Sequence, residues 1–141
     1  MKKQISAAVL LVCLALIGSA MAAKDTPAMP GILAKARFVY VTSYDGGQFS
    51  PRLLPDDREA ISRVQDALQK WGKLTLVYRP EDADIVVAVQ SRPSEDVMAV
   101  YDGRSSSQTY LWRVMGRSGL QKGETPLVTQ FERAFDKIAT K

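Results

Sequence analysis

The chain has 141 residues, with 19 basic against 15 acidic side chains, one cysteine and no histidine. Without histidine no Ser-His or Cys-His nucleophilic site can be built, and a zinc ion would lack its preferred ligands. A formal charge of +4 with no arginine stripe or basic tail gives no footprint for nucleic acid.

The amino terminus carries an address. Lys2 and Lys3 form a basic n-region, Ile5 to Ile17 is an apolar run broken by Ser6, and Ser19-Ala20-Met21-Ala22 supplies an Ala-x-Ala cleavage pattern. This predicts a secretory signal peptide over residues 1–22, cleaved near Ala22. As a helix its apolar core would span only about 20 Å, against roughly 30 Å of bilayer hydrocarbon. The alternative is an uncleaved anchor reaching Ala23. Cys13 is placed for lipidation only if a small residue precedes it; Val12 is branched and more apolar residues follow, so Cys13 reads as filler of the discarded segment. Processing leaves 119 residues with 17 basic against 15 acidic side chains and no cysteine, enough for one domain held by its core without disulfides. The expected location is the periplasm or the exterior.

Residues 23–35 hold Pro27, Pro30 and Gly31 with little periodicity and read as a flexible, extended linker. The single domain is expected over residues 36–141. In Ala36 to Ser43, Phe38, Tyr40 and Thr42 alternate with Val39 and Val41, a strand period that Asp45-Gly46-Gly47 ends. Pro55-Asp56-Asp57-Arg58-Glu59 predicts a helix with Asp56 as N-cap and Glu59 in a capping box. Its stripe is Ile61, Val64, Leu68 and Trp71, and Gly72 is placed to end it. Lys73 to Arg79 alternates as a second strand. The apolar run Ile85 to Val89 suits a central strand covered on both faces.

Val97 to Tyr101 and Tyr110 to Met115 read as two further strands, joined by the loop Asp102 to Thr109. After the glycine-bearing loop Gly116 to Glu124, Thr125-Pro126 starts a last helix with an apolar stripe at Leu127, Phe131, Phe135 and Ile138. The fold class expected is α/β (α+β): a single mixed sheet of about five strands, in the order β-α-β-β-β-β-α, with two helices packed on one face. The predicted core is Phe38, Tyr40, Ile61, Val64, Leu68, Ile85, Val87, Val89, Leu111, Phe131 and Phe135.

The segment DGRSSSQT, Asp102 to Thr109, has the residues a hairpin connection needs, since Asp and Gly accept turn dihedrals and the serines are small and polar. A polar site at Asp102, Arg104 and Ser105 to Ser107 is the rival reading, with Asp45 in the same position at its own Asp-Gly turn. Carboxylate catalysis or a Ser-Lys pair would have to draw on Asp45, Glu95, Asp96, Asp102 and those serines, each more simply a solvated loop residue. Glu81, Asp82 and Asp84 could attract calcium but lack the oxygen spacing of an EF-hand loop, and no metal or cofactor is expected.

Ala83-Asp84-Ile85-Val86-Val87, an apolar strand ending Val100-Tyr101-Asp102, Leu111-Trp112-Arg113 and a carboxy-terminal amphipathic helix together resemble a pattern of small uncharacterised exported bacterial envelope lipoproteins. More loosely, they are similar to the amino-terminal domain of the Tol system propeller protein. The resemblance runs from Ala36 to Lys141, departs from the lipoproteins in lacking a usable lipobox, and implies fold and compartment rather than catalysis. Three roles are carried forward. The first is a noncatalytic exported module that binds or helps assemble envelope proteins, with Tyr110 and Trp112 as anchors. The others are a small-ligand binder between the Gly46-Gly47 and Gly103 loops, and a carboxylate-based hydrolase.

Overall fold

The computed structural model describes residues 26–47 and 49–139. The expected signal peptide and Cys13 lie outside them. Seven regular elements follow in chain order: β1 (Phe38–Ser43), α1 (Pro55–Trp71), β2 (Thr75–Leu76), β3 (Ile85–Gln90), β4 (Asp96–Asp102), β5 (Trp112–Gly116) and α2 (Pro126–Ala139). The strands form one mixed sheet in the order β2-β1-β3-β4-β5, parallel between β1 and its two neighbours and antiparallel onwards. The run Ile85-Val86-Val87-Ala88-Val89 sits at the centre of that order, as an apolar strand should. Among the described residues no helix is long and apolar enough to cross a membrane.

Both helices lie on one face. Val39 and Val41 from β1, Ile85, Val87 and Val89 from β3, Met98 and Val100 from β4, and Trp112 and Val114 from β5 turn towards them and are buried. Ile61, Val64 and Leu68 answer from α1, and Leu127, Phe131 and Phe135 from α2. Phe131 is fully buried, with edge-to-face contacts to Trp71 and Trp112 at 5.9 Å each, and a tilted contact to Phe135. Gly72 ends α1 at φ 76°, a left-handed conformation glycine adopts without strain.

Several expectations change here. The predicted tether packs against the domain: Gly31–Lys35 is a 3-10 turn, Met29 and Leu33 are buried in the core, and the Trp112 indole N–H donates to the Pro27 carbonyl at 2.8 Å. Two well-spaced apolar side chains sufficed to dock a segment whose prolines and glycine mask any periodicity. Asp56 does not cap α1. The N-cap is Leu54 without a side-chain bond, because Pro55 at the first helical position fixes the entry, and Asp57 is turned inward instead.

The Lys73 to Arg79 strand shrinks to Thr75–Leu76, an edge strand that leaves the sheet ahead of the turn Pro80–Asp82. Phe38 is 42% exposed, and Tyr40, although buried, lies outside the helix-facing core. The valines of β1 face the helices and its aromatics face away. A two-residue period separates the faces of a strand without saying which one a second layer will cover. Leu111 is only partly buried at the core margin.

Candidate functional site: the helix-free face of the sheet

The face opposite the helices has no covering layer among the described residues, and strand register dictates what it presents. Thr42, Ala88, Ala99 and Arg113 form one row across four strands, and Tyr40, Val86 and Tyr101 form the next. Tyr44, just past β1, is anchored through its amide to the Val89 carbonyl at 2.9 Å. Its hydroxyl accepts from the Arg113 guanidinium at 3.5 Å, although β1 and β5 lie three strand spacings apart, about 14 Å. The two side chains meet only by lying flat across the strands between them. The residues under that path are alanines, and both Ala88 and Ala99 are buried on a face that has no helix.

Arg113 is also held from its other side. Its guanidinium sits over the Tyr110 ring, 5.4 Å from the centroid, and a terminal nitrogen lies against the Met115 sulfur. Tyr101 stands beside Tyr44. Burial first, and then the Tyr44 neighbour, holds the Tyr101 hydroxyl above the ordinary tyrosine value, so it remains a protonated donor. The result is an aromatic platform with one fixed cation.

Of the residues expected to form a site, Tyr110 belongs to this face and is 44% exposed. Trp112 does not: at 2% exposed it faces the helices, one position out of phase with Arg113. Asp102 and Arg104 lie at the far end of the sheet. Asp102 accepts from the Arg104 amide at 3.0 Å, the local bond of a turn, and Ser105 and Ser107 take the amides of Ser107 and Thr109 likewise. The Arg104 side chain pairs with Asp84.

Asp84 itself accepts from the amides of Arg37 at 2.8 Å and Phe38 at 3.1 Å, which together with Arg104 hold its carboxyl below the usual range. It fastens the start of β1 to the start of β3. Gly103 is needed beside it, because a Cβ there would stand 2.5 Å from the Ala83 carbonyl oxygen. The Asp-Gly-Arg segment is thus a turn. Glu81 and Asp82 turn to Arg79, and no group of three or more metal-ligating side chains converges among the described residues.

Asp45 lies at the opposite end, where its carboxylate accepts from Gln90 and Arg92 at 3.0 Å each. Arg92 also donates to buried Asp57 at 2.7 Å, and Asp57 takes the Ser91 amide at 2.9 Å. Buried Asp96 accepts from the Ser91 hydroxyl and the Leu120 amide. These carboxylates are spent on tying loops to α1 and β4. Because β3 and β4 run antiparallel with Ile85 opposite Asp102, the Gly46-Gly47 and Gly103 loops flank opposite ends of the sheet, and no pocket lies between them.

Tyr44, Tyr101 and Arg113 escaped the sequence reading. The signal was present in the alternation Val97, Ala99, Tyr101 and in Arg113 beside Trp112, but only register shows that the residues share one face.

No known protein family and no curated protein matches the chain. Among solved structures it is similar to a variant of PelC, described as a dodecamer, from Paraburkholderia phytofirmans: 17% identity, 82% of this chain and 90% of that one covered, TM-score 0.36. A likeness that remote bears on neither the role nor the assembly of this chain.

Proposed function

We propose that this chain is an exported, noncatalytic envelope module that docks a protein partner on the helix-free face of its sheet. The observation that carries this is the composition of that face. Tyr44, Tyr101, Tyr110, Met115 and Arg113 are the residue types enriched where proteins bind one another, and no lysine or glutamate interrupts the outward strand positions. The hydrolase alternative is weakened by the structural bonding of Asp45, Asp96 and Asp102, and the ligand-binder alternative by the separation of its two loops. Export rests on the amino-terminal pattern Lys2 to Ala22.

The test places a photocrosslinking amino acid at Met115 on the platform or at Gln69 on the exposed side of α1, in intact cells. Met115 should yield one recurrent stoichiometric protein adduct on a chain that begins near Ala23, and Gln69 none. Equal labelling from both positions, or from neither, overturns the docking reading, and a chain starting at Met1 overturns processing.

A further inference from the structure

We infer that the partner segment seated on this platform presents a carboxylate side chain to Arg113. This rests on the docking reading and specifies the chemistry of its partner.

Three arginines among the described residues are half-buried: Arg63, Arg92 and Arg113. Arg63 is paired with Glu59 at 2.5 Å, and Arg92 with Asp57 at 2.7 Å and Asp45 at 3.0 Å. Arg113 alone of the three has no carboxylate within 4.0 Å among the described residues. Glu95 lines the groove along β5 but forms no ion pair with it there. The contacts of Arg113 orient it without neutralising it: a ring face, a phenolic oxygen and a thioether sulfur.

No other outward strand position on the face carries a formal charge. A partly desolvated guanidinium in a fixed orientation is matched by a planar carboxylate, which accepts its parallel N–H donors in a fork. The Tyr44 hydroxyl, which accepts from Arg113, stands beside it, and a phenol can donate as well as accept. Electrostatic complementarity of this kind sets the register of a docked segment. A nucleic acid would find one cation where it needs a track of them, so an acidic protein segment is the favoured occupant.

The processed protein, titrated with hexaglutamate and followed by two-dimensional NMR, should show shifts at the Arg113 Nε–H and at amides of β4 and β5. Hexalysine and a single-stranded oligothymidylate of equal charge should leave those signals in place. Arg113→Gln should weaken hexaglutamate binding about tenfold, the factor for one charge-assisted hydrogen bond. Arg113→Lys, which keeps the charge, should fall between the two and serves if the glutamine variant folds poorly.

Shifts centred on other basic residues, binding unchanged in both variants, or equal binding of the oligonucleotide each overturn the inference. The crosslink at Met115 separates the two readings. An adduct lost with Arg113→Gln supports this one, an adduct that persists leaves docking standing and overturns the carboxylate, and no adduct in the unaltered protein overturns docking itself.

Discussion

The two faces of the sheet are built from the same strands and differ in almost everything else. On the helix side the row positions are Val, Ile, Leu, Met and Trp, closed over by Phe131 and its neighbours. On the other side small Ala88 and Ala99 sit beneath a layer made only of side chains, Tyr44 reaching across to Arg113. The first arrangement excludes water by volume. The second excludes it by laying long amphipathic side chains flat and keeps their polar ends at the surface. The packed core and the open platform are thus separated by the thickness of one strand.

That separation can be broken most sharply by truncation. Phe131→Ala should cost about 3–5 kcal/mol in chemical denaturation, because it opens a cavity among Trp71, Trp112 and Phe135. Tyr101→Ala, on the open face, should cost about 1 kcal/mol or less with an unchanged denaturant slope. Equal losses would mean that the platform is core and not surface.

A smaller effect is expected where the sheet is pinned independently of either layer. Gly103→Ala forces a Cβ against backbone atoms of Ala83 and Asp84 and should cost about 1–3 kcal/mol, while Gly46→Ala, with open space around it, should stay within about 0.5 kcal/mol. Thermal melts of the pair measure how much of the strand alignment depends on that close approach.

The smallest effect sharpens the open face alone. Since burial raises the Tyr101 hydroxyl above its ordinary value of 10.0, the folded chain holds that proton longer than the unfolded one. Its contribution is complete below pH 10 and declines as pH rises through the folded value. Unfolding stability followed above pH 10 should therefore fall less steeply in Tyr101→Phe than in the unaltered chain. Matching slopes would show that the ring is as solvated as a free tyrosine.

Much of this architecture was legible beforehand because its signals are local. The stripe Ile61, Val64, Leu68, the stop at Gly72 and the pair Thr125-Pro126 each act within one or two helical turns, and the five-strand mixed sheet with helices on one face followed from their order. Where the reading failed, a distant partner decided the outcome. The carboxylate of Asp57 turned inward because Ser91 and Arg92 meet it 34 and 35 residues away, and Met29 and Leu33 joined the core because the face beneath them was apolar.

The platform is the extreme case. By itself the sequence determined that the chain would form alternating strands and amphipathic helices, since side-chain period and capping chemistry are properties of neighbouring residues. Only the tertiary structure decided which phase of each strand the helices would cover. It thereby sent Trp112 into the core and Arg113 to the open face, where a tyrosine just past β1 meets an arginine of β5, 69 residues further along the chain.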